Sequence, residues 1–249
     1  MEVKSLRFFL SLKQSMVKKE GCPFCYIGAV KFPHFERFGV GSLEQYVVDR
    51  TDHYVAKVDP LPVTREGHIL IFPNHHGIYN FASLNHHAEL GKLLYRLEAK
   101  FGQGVVLEHG DTGEGTHSIQ SVRHSHYHVL FGLDRVDYIT YMQDMLNGGL
   151  DGITHPYLVV EAPFMSHTLN LEASGVDPNT PYLFASQNGT GLYVPDPNNL
   201  MPSMFAQRSA HRFVSGEEMS WKQLDKNDDW AKESIIRLLD FINKCEHEK

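Results

Sequence analysis

Arg123-His124-Ser125-His126-Tyr127-His128-Val129-Leu130 decides how this chain is read. Side chains on an extended strand alternate between faces, so this spacing predicts His124, His126 and His128 on one face and Ser125, Tyr127 and Val129 on the other. Imidazoles at three alternate positions point to a metal or catalytic row more than to a strand whose polar face merely happens to be histidine. A second cluster lies upstream, where Cys22-Pro-Phe-Cys25 precedes the pair His75-His76. Two thiolates and two imidazoles form a tetrahedral zinc donor set. A redox Cys-x-x-Cys would want a helix start in a βαβ setting, which the neighbouring pattern does not offer.

Around these clusters the hydrophobic periods predict mixed structure. A short amphipathic helix is expected over 5–18, then β-rich runs at 46–49 and 53–58 joined by a polar turn, which reads as a hairpin. Residues 68–72, His-Ile-Leu-Ile-Phe, read as a central strand stopped by Pro73-Asn74. Leu90, Leu93, Leu94, Leu97 and Phe101 recur at helical spacing, so a helix is expected over 85–101 with Ser83 or Asn85 as N-cap. Strands follow at 105–107 and 121–130, separated by the glycine-rich 110–115. Beyond Asn147-Gly-Gly149 the expected strands are 157–160, 182–185 and 191–194, with Asn188-Gly189 as a hairpin turn, and the chain closes on a helix over 230–244. The fold class is therefore α+β, an antiparallel sheet with packed helices. The composition shift sets a division into 1–148 and a C-terminal strand-and-helix extension, 149–249, which can equally belong to one continuous domain.

Composition narrows the function classes. The 249 residues are 42% hydrophobic and 21% charged, enough to bury a sizeable core. The formal charge of −7 supplies no net field toward a nucleic-acid backbone or an anionic membrane, so neither is the expected partner. The apolar run at 8–12 is too short for a signal sequence or a span, and 3 cysteines cannot build a disulfide framework, so a cytoplasmic protein is expected.

The motif His124-x-His126-x-His128-Val129-Leu130 resembles the signature of the histidine-triad superfamily. The similarity continues through Asp59-Pro-Leu-Pro62, Gly67-His68 and Pro73-Asn-His-His76, in the same order as in that family, and spans about residues 21–131. Cys22-Pro-Phe-Cys25 resembles its zinc-containing branch. The resemblance implies a histidine-triad-like sheet and a nucleotide or dinucleotide substrate. It implies that His126 attacks the α-phosphorus of a nucleotidyl ester, anhydride or phosphoramidate, giving a nucleotidyl-histidine that an acceptor resolves. His128 would hydrogen-bond phosphate or protonate the departing group, and Ser121 would donate to phosphate. Asp59 would accept from ribose hydroxyls, with a turn before Pro60 as its plainer role, and Gln120 is a weaker match to a phosphate contact. Structural zinc would sit on Cys22, Cys25, His124 and His76, with His75 a rival to His76.

Two stretches depart from the family pattern: the loop 59–67 is one residue longer, and 108–117 is more elaborate, adding His109 and His117 as further candidates. Hydrolase is the expected activity, because the third triad position, His128, is usually glutamine in the superfamily's transferase and phosphorylase branches. A nucleotidyltransferase or phosphorylase is the alternative, as is a zinc-containing nucleotide-binding protein without turnover. A catalytic metal held by all three histidines would ask for a carboxylate such as Glu108 or Asp111. Residues 150–249 either replace a second subunit, making a pseudo-dimer of what is otherwise a homodimer, or cap the pocket, where Arg208 or Arg212 would reach phosphate; spacing alone makes those arginines a solvated helix face.

Overall fold

The structure, a computed structural model, describes residues 47–59, 62–74, 87–110, 125–133, 137–148, 154–161, 180–196, 205–216 and 228–247. The helix expected over 5–18 lies outside them, as do 111–124.

Eight described strands form one sheet: β1 (Val47–Arg50), β2 (Tyr54–Val58), β3 (His68–Pro73), β4 (Gly104–Gly110), β5 (Tyr127–Phe131), β6 (Leu158–Glu161), β7 (Tyr182–Gln187) and β8 (Thr190–Pro195). Their order is β1-β2-β3-β5-β4-β7-β8-β6 and every adjacent pair is antiparallel. The expected hairpin is β1–β2, and β3 is a central strand between β2 and β5. β7 pairs with β4, so the strands that follow residue 149 continue the sheet of those before it. Asn188 (φ 52°) and Gly189 (φ 81°) turn the β7–β8 hairpin with both residues left-handed, the conformation that suits the twist of paired strands and that Asn-Gly adopts most easily.

Helices cover both faces. α1 (His87–Phe101) lays Leu90, Leu93, Leu94 and Leu97 on Tyr54, Ala56, Ile69, Ile71, Val106, Tyr127 and Val129, and α4 (Asp228–His247) adds Ile235 and Leu238. On the opposite face α2 (Tyr138–Leu146) and α3 (Phe205–Ser215) bury Tyr138, Ile139, Met142, Leu146, Phe205 and Ala210 against Val105, Leu107, Leu130, Leu183, Ala185, Leu192 and Val194. Each such large side chain taken from water is worth about 1.5–3 kcal/mol before the entropy of ordering it. Because both faces are covered, β2, β3, β4, β5 and β7 are buried along their whole lengths.

α2 was not expected from the sequence, and α3 only as the helix that carries Arg208 and Arg212. α2 begins at Asp137, whose carboxylate accepts from the Thr140 N–H (2.9 Å), and Gln187 of β7 braces it by accepting from Tyr138 N–H (2.9 Å) while donating to Leu133 C=O (2.7 Å). α3 is tied to α2 by Tyr138 Oη to Ser209 Oγ (2.7 Å) and by Phe213 against the rings of Tyr138 and Tyr141. Arg208 and Arg212 are accordingly half-buried on a helix packed against the protein, which corrects the expectation of a solvated face. Among the described residues no helix is long and apolar enough to cross a membrane.

Candidate active site

The register of the sheet builds the site. Leu70 of β3 and Leu107 of β4 both pair with His128 of β5, and Ile71 and Glu108 both pair with Tyr127. Side-chain alternation then puts His68, Leu70 and Phe72, His126 and His128, and Leu107 and His109 on one face, the face of α2 and α3. Tyr127, Val129 and Phe131 point the other way into the core under α1. The alternation expected of the triad therefore holds for its second and third members. His126 directly precedes β5, and its ring meets that of His128 edge-on at 4.9 Å between centroids.

Behind His128 stands a buried polar trio. His68 Nε2 is 2.9 Å from His128 Nδ1 and 3.3 Å from Asp59 Oδ2, while Asp59 Oδ2 is 3.6 Å from His128 Nδ1. The Val63 N–H donates to His68 Nδ1 (3.4 Å), which makes that nitrogen an acceptor and puts the His68 proton on Nε2. That N–H donates to His128 Nδ1, leaving the His128 proton on Nε2. Burial, with the neighbouring His109 second, pulls the His128 pKa down to about 3, so the ring is neutral near pH 7. A neutral His128 presents an N–H donor; it is not a standing imidazolium.

The ligand atoms of Asp59, His68 and His128 all lie within 4.8 Å of one another, close enough to hold a cation. His68 Nε2 stands at their centre, hydrogen-bonded to His128 and in ion-pair distance of Asp59. Glu108, offered by the sequence as a carboxylate for a metal on the triad, is on the other face: it is fully buried and accepts from Tyr182 Oη (2.8 Å) and Ser125 Oγ (3.4 Å). That removes it from any metal bound through His126 and His128.

Of the other expected residues, Asp59 is buried on the histidine face, its carboxylate turned to His68 and His128, and His109 is buried on the same face. Cys22, Cys25, His75, His76, Asp111, His117, Gln120, Ser121 and His124 lie outside the described residues. Sequence reading missed His68 as a site residue. The signal was present in the parity of the strand 68–72, which puts His68 on the same face as Leu70 and Phe72, but nothing local says that this face meets the triad.

The family model for the HIT domain, the histidine triad, matches residues 41–134, less than half of the 249-residue chain. The match covers β1 to β5 and the site residues from Asp59 to His128. No curated protein is significantly similar in sequence. Among solved structures, yeast Ap4A phosphorylase Apa2 aligns at 13% identity over 82% of this chain and 78% of its own, with a TM-score of 0.44. Its complex with Ap4A aligns at 13% identity over 82% and 80% (TM-score 0.43), and its complex with AMP at 14% over 76% and 73% (TM-score 0.41). Likenesses this distant assign no residue, ligand or reaction to this chain.

Proposed function

We propose that the protein is a nucleotidyl hydrolase acting at the α-phosphate through His126. The observation that carries this reading is the pairing of His126 with a neutral, fixed His128 on one buried sheet face, inside the stretch that matches the HIT domain. His126 Nε2 or Nδ1 attacks the α-phosphorus, a P–N bond forms, and the bond from phosphorus to the leaving oxygen or nitrogen breaks. The His128 Nε2–H hydrogen-bonds the oxygens on which charge gathers, and a proton from solvent neutralises the departing group. Water then displaces the nucleotide from His126, restoring the free imidazole and releasing a nucleoside monophosphate. His68 holds the His128 tautomer, and Ser121, Gln120 and the ribose-accepting role of Asp59 belong to the same proposal.

We further propose one structural zinc on Cys22, Cys25, His124 and His76 or His75. Two thiolates with two imidazoles suit zinc. Bound there, it would fasten the N-terminal segment to the approach to β5, and His124 would orient that strand without reacting. A division into a nucleotide-binding part, 1–148, and an extension, 149–249, is part of the same reading.

The test is turnover of adenosine phosphoramidate, diadenosine polyphosphates and nucleoside diphosphate sugars, with and without inorganic phosphate, beside His126→Ala. Release of nucleoside monophosphate that needs no added phosphate and is lost in the variant supports the hydrolase. A nucleoside diphosphate formed only with phosphate present identifies a phosphorylase instead. Binding without turnover identifies a nucleotide-binding protein.

A further inference from the structure

Glu108 is a costly residue for its place. It is fully buried on the sheet face away from the histidines, where a carboxylate needs donors to offset its desolvation and where an apolar side chain of similar volume often stabilises as well. Its two oxygens divide between two hydroxyls: Oε2 accepts from Tyr182 Oη at 2.8 Å, and Oε1 accepts from Ser125 Oγ at 3.4 Å. Tyr182 belongs to β7, and Ser125 immediately precedes His126. The reach of Tyr182 is built into β4. Its ring lies over its ladder partner Gly110, where a Cβ would come within 2.3 Å of the ring carbons, so a side chain at that position would push Tyr182 off Glu108.

Ladder pairing ends at Tyr127 on both sides of β5, opposite Ile71 and Glu108, one residue short of His126. His126 is thus flanked by Tyr127, held in the ladder, and by Ser125, fully buried and held by Glu108. We propose that Tyr182, Glu108 and Ser125 form a positioning clamp for His126, through which β7 sets the aim of the reacting imidazole from the opposite face of the sheet. This rests on the nucleotidyl-transfer reading above for the role of His126. An imidazole attacks phosphorus in line with the bond that breaks, and a misplacement of about 1 Å in such an approach can cost a hundredfold in rate. Hydrogen bonds to a carboxylate are of the stronger kind and suit the fixing of one residue of backbone. The three clamp residues act through the backbone of His126 and touch no reacting atom, because their side chains lie on the face away from its ring.

The experiment compares wild type with Ser125→Ala, Tyr182→Phe and Glu108→Gln, and with Gln187→Leu, which weakens the same strand without entering the clamp. The readouts are kcat and KM for diadenosine tetraphosphate and adenosine phosphoramidate, and the imidazole nitrogen resonances of His126 in histidine-labelled protein at one fixed pH. The expected result is that Ser125→Ala and Tyr182→Phe lower kcat about tenfold or more, leave KM within about twofold and shift the His126 resonances. Glu108→Gln, whose amide still accepts from Tyr182 and can donate to Ser125, keeps a larger part of kcat. Gln187→Leu lowers the melting temperature but leaves kcat and the resonances as in wild type. Losses of kcat that simply follow melting temperature across the variants, or His126 resonances unmoved by Tyr182→Phe, would overturn the proposal. If no substrate is turned over but Tyr182→Phe still shifts the His126 resonances, the clamp stands and the nucleotidyl-transfer reading falls. If His126→Ala abolishes turnover while Ser125→Ala and Tyr182→Phe leave it undiminished, that reading stands and the clamp falls.

Discussion

His68 Nε2 approaches His128 Nδ1 to 2.9 Å in the buried sheet, and Val63 N–H on the far side of the His68 ring fixes which nitrogen carries its proton. The orientation of the third triad histidine is thus set from β3, 60 residues away in sequence. His68→Phe keeps a ring in the strand but removes the donor. Under the proposed chemistry kcat should fall about tenfold to a hundredfold with KM little changed, the size seen when a partner that orients a histidine is lost. Equal activity in the variant would show that His128 needs no such support.

Acid should destabilise the fold through His128. Its folded pKa of about 3 lies below the ordinary histidine value of 6.5, so between those values the unfolded chain binds a proton that the folded chain refuses. Stability from keeping His128 neutral is complete above pH 6.5 and declines as pH falls toward 3. Denaturant midpoints at pH 7 and pH 5, for wild type and His128→Gln, should show the larger acid loss in wild type. The limiting slope is about 1.4 kcal/mol per pH unit for one proton.

Glu89 adds a second acid-sensitive contact, at the first turn of α1. Burial pushes its carboxyl up, but Thr51 and His53 outweigh this and bring the pKa down to about 2, with His53 Nδ1 at 2.6 Å and His53 N–H at 3.0 Å. A depressed carboxylate stabilises above its unfolded value of 4.5 and ceases to do so as pH falls through about 2. Glu89→Gln should lower the thermal midpoint at pH 7, and the difference from wild type should shrink at pH 3.

Gln187→Leu should be costly without touching the site. Its amide serves Tyr138 N–H and Leu133 C=O, both in the buried junction where α2 leaves the sheet. An apolar replacement leaves a donor and an acceptor unpaired, at about 1–3 kcal/mol for each buried group. Calorimetry on the variant checks this; an unchanged melting temperature would mean that water takes over both bonds.

Gly67 sits just before His68 with φ +145°, and a Cβ there would come within 2.8 Å of Leu238 Cδ2 of α4. Gly67→Ala combines a backbone conformation that side chains avoid with that clash. A loss of about 1–3 kcal/mol is expected, read as a shift in denaturant midpoint.

Periodicity made the sheet and two helices legible. Alternation at 126–128 and the leucines of α1 each bury one face, the apolar run 68–72 buries both, and such patterns survive into the fold. Asn188-Gly189 was readable because few other pairs accept two left-handed residues. α2 was hidden because its stability comes from tertiary contacts: its start is braced by Gln187, 49 residues later in sequence, and its aromatic face packs on α3. In the site, the parity of His126 and His128 was readable, whereas His68 was not. What marks it is strand register, Leu70 opposite His128, and register is a property of pairing that no single segment contains. Glu108, named only as a carboxylate that a metal on all three histidines would ask for, could not be placed for the same reason, since only the pairing with Tyr127 shows which face it occupies.

The measurement that bears most directly on the central claim is intact-mass analysis of the protein mixed with a nucleotidyl substrate and quenched in alkali, where phosphorus–nitrogen bonds on histidine persist. A transient adduct of one nucleoside monophosphate, mapped to the peptide carrying His126 and missing from His126→Ala, is the predicted result. Turnover with no adduct at any time, and undiminished in His126→Ala, would contradict it.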